Sequence, residues 1–137
     1  MTIYDKTYKM VSKESRAVVQ EFMVIFYEKE DGSEPAKEFL DTLSAKMFAK
    51  MIRSIEVVKV GGAFVREPYS KHLDDGIFEI RAKVGTNISR LLYFFFIDKK
   101  IILTHGFIKK SNKTPVNEIV RAKAYRIDYL KRKGNIQ

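Results

Sequence analysis

Cysteine is absent from this 137-residue chain, which removes disulfides and thiolate metal sites and fits a reducing cytoplasm. Histidine occurs only twice, at His72 and His105, and two isolated histidines give no metal-ligand spacing, so neither a metal nor a cofactor is expected. The longest apolar run, Leu91 to Ile97, falls far short of the about 20 residues of a helical membrane span. No charged-then-apolar leader opens the chain, so a cytoplasmic location without membrane contact is expected. Phosphate-cradling glycine loops and nucleophile elbows are missing as well. What the chain has in excess is positive charge, a net +9. Residues 1–60 hold 10 Lys/Arg against 10 Asp/Glu, and residues 61–137 hold 16 against 7. The whole excess therefore lies in the second part, which points to an anionic partner, with nucleic acid the first candidate and an acidic protein the other.

Hydrophobic residues make up 45% of the chain, enough for one core. Residues 1–20 read as a polar N-terminal extension with weak helical tendency, and 21–137 as the folded domain. Glu21–Tyr27 reads as a buried strand. Ser33 and Pro35 open a first helix with Phe39, Leu40 and Leu43 on one face. Ser44 caps a second, in which Met47, Phe48, Met51, Ile55 and Val58 recur at helical spacing up to Gly61-Gly62. Residues 63–76 read as a polar connection closed by Asp75-Gly76. Three strands follow, Ile77–Lys83, Ile88–Ile97 and Ile101–Ile108. Thr114 as cap and Pro115 in the first turn begin a basic helix with Val116, Ile119, Val120, Ile127 and Leu130 as its apolar stripe. The expected class is α+β: a small antiparallel sheet made of a strand, a helical hairpin and a three-stranded meander, plus a basic C-terminal helix.

The first meander hairpin carries the chemistry. In Ile77–Lys83 the apolar Phe78, Ile80 and Ala82 alternate with Glu79, Arg81 and Lys83, so one face is polar. With a loop over Val84–Asn87, Lys83 faces Ile88 and Arg81 faces Arg90. Like charges directly opposite are unfavourable unless neutralised, which Glu79 does in part and a bound phosphate would complete. Solvated or carboxylate-paired arginines remain the alternative. Lys109, Lys110 and Lys113 sit at the far strand end, beside that face or as a solvated charge run. His105, inside an apolar strand, reads first as a core or edge histidine and second as a proton carrier. His72, beside Lys71 on the polar loop, and Tyr93, with its hydroxyl, complete the polar inventory.

These residues also carry a family resemblance. The stretch LDDGIFEIRAK, then ISRLLYFFF, then IILTHGFIKKSNKTPVNEIVRAKAYRIDYL resembles the phage-derived branch of RelE/HigB-like toxins. The matching positions are Leu73, Gly76, Glu79 and Arg81; Arg90, Tyr93 and Phe94; His105, Gly106, Phe107, Lys109 and Lys110; and Thr114, Pro115 and Ala122. The resemblance spans about residues 22–131. Two features depart from the family pattern: Ser89 precedes Arg90 where an aromatic is usual, and the N-terminal extension is longer than typical. The resemblance implies a RelE-like fold and a ribosome-dependent mRNA endoribonuclease. It implies a cognate antitoxin, commonly a helix-turn-helix protein, and mRNA on the ribosome as partners. The implied chemistry is metal-independent attack of a 2′-hydroxyl on the adjacent phosphate, which needs a base, an acid and positive charge on the pentavalent phosphate. Arg81 and Arg90 would supply that charge, Lys110 an acid, Glu79 a base or an orienting group, and His105 a weaker proton-transfer group. Lys71, Lys83, Tyr93, Lys109 and Lys113 would bind RNA. The same fold and charge would also serve a non-catalytic RNA- or ribosome-binding module.

Overall fold

The computed structural model describes residues 20–134; the expected N-terminal extension lies outside them, save Gln20. Five strands form one sheet: β1 (Met23–Phe26), β2 (Ser70–Asp74), β3 (Ile77–Val84), β4 (Asn87–Phe96) and β5 (Lys100–Lys109). Their spatial order is β1-β5-β4-β3-β2, with β1 parallel to β5 and every other pair antiparallel. Helices α1 (Pro35–Asp41) and α2 (Ala45–Gly61) cover one face, and α3 (Val116–Arg132) covers the other. The α+β class is therefore the expected one, and the architecture is compatible with a RelE-like fold.

Alternation in the strands divides the core in two. Ile80, Ala82, Leu91, Tyr93 and Leu103 face the helical hairpin and pack on Leu40, Met47, Met51, Ile55 and Val58. Ile77, Leu92, Phe94 and Ile102 face α3 and pack on Ala122 and Tyr129. Ser44 caps α2 by accepting from the Met47 amide at 3.1 Å. Gly62, with φ of 59°, ends it in a conformation that costs other residues.

Four local expectations need correction. Residues 63–76 are not merely a connection, because they contain β2, which makes the meander four-stranded. β2 escaped notice because it is an edge strand of sequence SKHLD in which only Ser70 is buried. The Asp75-Gly76 turn, with both φ angles positive, was its hairpin signal. β1 is shorter than Glu21–Tyr27 and lies at the opposite edge, with Met23 exposed. Ser33 does not cap α1; Glu34 holds that position, and Ser33 bonds Asp31 instead. In α3, Val116, Val120 and Ile127 are exposed, because the helix docks through Ala122, Tyr125 and Tyr129.

Candidate active site

The β3–β4 register sets Arg81 opposite Arg90 and Lys83 opposite Ile88, as the alternation requires, around the tight Gly85-Thr86 turn. In β2 the register sets Lys71 opposite Glu79, and in β5 it sets Phe107 opposite Arg90 and Lys109 opposite Ile88. Lys71, Glu79, Arg81, Lys83, Arg90, His105 and Lys109 thus share the α3 face of the sheet.

Glu79 is fully buried between the two arginines. Its Oε2 lies 2.7 Å from Arg81 Nε and its Oε1 3.6 Å from Arg90 Nε. Thr114 does not cap α3, whose N-cap is Pro115. Its hydroxyl instead donates to Glu79 Oε1 at 2.5 Å. Glu79 thereby sits as counter-charge to both guanidinium groups, sealed from solvent in this conformation, with Oε2 held by the ion pair to Arg81 and by no hydrogen bond. Two cations against one carboxylate leave the buried cluster with a net positive charge.

The chain between β5 and α3, residues 110–115, straps this cluster down. Arg90 Nη2 donates to the Ser111 carbonyl, and Arg81 Nη2 donates to the Asn112 carbonyl at 2.5 Å. Arg90 lies with its guanidinium 5.6 Å from the Phe107 ring centre. Its Nε and Nη1 make no hydrogen bond. Burial holds the Arg90 guanidinium below its ordinary pKa, Glu79 pulls it back up, and Arg81 presses it down; an arginine nevertheless stays charged. Arg90 is sealed, whereas Arg81 reaches the surface. Arg81 lines a cleft of about 330 Å³ together with Lys50 and Arg53 of α2, Lys83 of β3, and Tyr69. Asn112 separates that cleft from a second one holding Lys71, Lys113 and Thr114. Lys109, at the end of β5, and Lys110 and Lys113, on the strap, are exposed.

His105 is on this face but not accessible. Its Nε2 lies 2.9 Å from Glu118 Oε1 and its Nδ1 3.1 Å from Thr104 Oγ1, so it ties β5 to the first turn of α3. Burial lowers its pKa, and Glu118 partly opposes that shift. Tyr93 is a correction to the expected set. It points to the opposite face, is fully buried, stacks on Phe78, and shares a 2.7 Å hydrogen bond with Ser70 Oγ. Burial pushes its pKa to about 12. Ser89, the departure from the family pattern, also faces the helical hairpin, where it bonds Ala82 O; it has no part in this site. His72 is held by an edge contact with Phe78 and accepts from the Gly76 amide.

Sequence reasoning missed Lys50 and Arg53. They flank the buried Met47, Met51, Ile55 stripe of α2 at i, i+3 spacing, the one trace that was available. Among the described residues no three His, Asp or Glu side chains form a group able to hold a metal ion. No helix among them is long and apolar enough to cross a membrane.

The fold is a five-stranded α+β sheet that carries a strapped arginine pair beside a basic cleft. Residues 38–126 match the phage-derived Gp49-like protein family (DUF891), and the chain belongs to it. That family is tied to toxin–antitoxin systems and associated with their endoribonuclease toxins. No curated protein matches the chain at a significant level.

Proposed function

We propose that this protein is the RelE/HigB-like toxin of a toxin–antitoxin pair and cuts mRNA in the ribosomal A site. The cut is a metal-independent attack of a 2′-hydroxyl on the adjacent phosphate. The observation that carries the reading is the Arg81–Arg90 pair wedged by Glu79, whose outer member opens onto a basic cleft. Guanidinium groups match phosphate oxygens in pairs, and a fixed cation costs no reorganisation when charge develops in the transition state. Arg81 is the group that meets the pentavalent phosphate. Arg90 and Glu79 act through it as positioning residues. The exposed Lys109 and Lys110 bind the strand; a solvent water takes the 2′-hydroxyl proton as the O2′–P bond forms, and Lys110 protonates the leaving 5′ oxygen as the P–O5′ bond breaks. Lys71, Lys83 and Lys113 extend the phosphate track, and the ribosome orders the mRNA. The cognate antitoxin is a helix-turn-helix protein, and residues 21–137 are the toxin domain.

The sealing of Glu79 and His105 favours one competing reading, a binding module without an accessible acid–base pair. One experiment separates the two: inducible expression of wild type beside Arg81→Ala, with primer extension on a translated reporter mRNA. The nuclease reading expects growth arrest and cuts inside codons, the cuts being lost when translation is blocked. Removing one fixed stabiliser of transition-state charge lowers rates by about 100-fold or more, so Arg81→Ala should abolish arrest while still binding the antitoxin. A folded wild-type protein that neither arrests growth nor cuts would overturn the nuclease and leave the binding module or a decayed toxin.

A further inference from the structure

The cleft beside Arg81 contains more than phosphate chemistry requires. Arg53 is exposed and forms no ion pair or hydrogen bond among the described residues. Lys50 Nζ rests on the Lys83 carbonyl at 2.8 Å, an exposed bond that a stronger acceptor displaces. Tyr69, half-buried beside Pro68, gives the cleft an aromatic wall. Among the described residues Glu67 is the sole carboxylate lining the cleft, and it forms no ion pair with the cations around it. Clefts of about 300 Å³ and upward hold small organic ligands.

We propose that this cleft is a base-reading subsite that seats one nucleotide of a single-stranded RNA. Arg53, Arg81 and Lys83 hold its phosphate, the base stacks on Tyr69, and Glu67 accepts a hydrogen bond from an amino group of the base. The assignment rests on the RNA-cleavage reading of the same site and adds to it a preference at one position. Stacking on an aromatic and phosphate contacts to Arg/Lys are how single strands are held. A carboxylate accepts from the N4 amino group of cytosine, whereas uracil presents a carbonyl oxygen there. The cleft therefore favours cytosine over uracil. An acidic peptide would satisfy the cations, but it would be repelled by Glu67 and leave Tyr69 idle.

The test uses fluorescein-labelled 2′-O-methyl hexanucleotides, C6 and U6, which cannot undergo 2′-hydroxyl attack. Binding to the full chain is read by fluorescence anisotropy across a salt series, and the same preparations are assayed for mRNA cleavage on ribosomes. Wild type should bind C6 at least about 10-fold more tightly than U6, the scale of one hydrogen bond to a charged acceptor. Glu67→Ala should erase that ratio while tightening U6. Tyr69→Leu should weaken both by about 10-fold. Arg53→Gln should weaken both and lower the slope of log K against log salt by about 0.7, one single-strand phosphate contact. Circular dichroism confirms that these surface variants fold. Equal affinity for C6 and U6, or affinities that Tyr69→Leu and Arg53→Gln leave within twofold of wild type, would overturn the subsite. So would a wild type that binds neither hexamer yet cuts mRNA on ribosomes, and the nuclease would then stand without it. Conversely, variant-sensitive, cytosine-preferring binding without any cleavage would retain the subsite and remove the nuclease.

Discussion

Replacing Glu79 by glutamine tests the architecture of the site at its most sensitive atom. The side chain is fully buried, and its neighbours include Arg90, which is equally buried, at 3.6 Å. At an effective dielectric of about 20, a unit pair at that separation attracts by roughly 4–5 kcal/mol. The isosteric amide keeps the volume and an acceptor for Thr114 but leaves Arg90 with no counter-charge. Breaking one partner out of a buried pair costs about 3–5 kcal/mol. By contrast, Thr114→Val removes one hydrogen bond to the same carboxylate and should cost about 1.5–3 kcal/mol. Urea unfolding followed by far-UV circular dichroism measures both, and the chain has no tryptophan to follow instead. The midpoint should fall with the slope unchanged. The decisive construction is a double-mutant cycle with Arg90→Met. Once that guanidinium is gone, Arg81 can turn its charge to the cleft it already lines, so the double variant should be more stable than the sum of the singles by at least about 2 kcal/mol. Additivity within about 0.5 kcal/mol, or a Glu79→Gln cost below about 1 kcal/mol, would refute the claim that Glu79 neutralises Arg90.

Three further outcomes follow from the packing. Tyr93→Phe strips a buried hydroxyl from Ser70 and should cost about 1–3 kcal/mol in urea midpoint analysis, yet leave mRNA cleavage unchanged, because Tyr93 faces away from the arginines. A Cβ on Gly106 would sit 2.3 Å from the Phe39 ring and 2.8 Å from the Arg90 carbonyl. Gly106→Ala should therefore lose about 1–3 kcal/mol or more by overpacking, against at most about 1–2 kcal/mol for Gly85→Ala, whose cost is its positive φ alone. His105 is buried with its pKa lowered, so the folded state binds fewer protons than the unfolded one. Its contribution is present above the ordinary histidine value of about 6.5 and lost as pH falls below it. Stability measured from pH 7.5 to 5 should decline, and His105→Gln should flatten that decline.

The features legible in the sequence are those written in alternation. Glu79 and Arg81 lie on one face because Phe78, Ile80 and Ala82 occupy the other, and the short turn after Val84 then pairs Arg81 with Arg90. Alternation fails where an edge strand buries one face only thinly, which is why SKHLD read as a connection. For Tyr93 the alternation was legible: three residues beyond Arg90, it falls on the opposite face, opposite Phe78, and only its hydroxyl, not its position, put it among the site residues. Helical periodicity named the α3 stripe as Val116, Ile119, Val120, Ile127 and Leu130, of which Leu130 packs on the core and Val116, Val120 and Ile127 are exposed. The helix docks instead through Ala122 and Tyr129, because the α3 face of the sheet presents Phe94 and Phe96, and aromatic edges meet the Tyr129 ring at 5.8 and 5.2 Å.

The strap is the part that no pattern in the sequence announces, since its contacts are backbone carbonyls meeting guanidinium groups from strands far away in the chain. Ser111 and Asn112 contribute their carbonyl oxygens, so side-chain identity at these two positions carries no trace of the contact. Thr114 does carry one, and its hydroxyl served a helix-cap reading equally well. This geometry also orders the roles of the two arginines. A phosphate arriving from solvent meets Arg81 first, and Arg90 is reached only if the Ser111 carbonyl gives way. On the proposed reading Arg90, held charged behind Arg81 by Glu79, raises the potential at the cleft without contacting the phosphate. A conservative exchange should therefore separate the two positions. Arg81→Lys sacrifices the paired donors that recognise phosphate and should depress cleavage while leaving the fold intact. Arg90→Lys places a more strongly hydrated ammonium in the sealed interior and should act on stability first, measured as the urea midpoint. If Arg90→Lys instead abolished cleavage at unchanged stability, Arg90 would be the group touching the phosphate, and the strap would have to lift during the reaction.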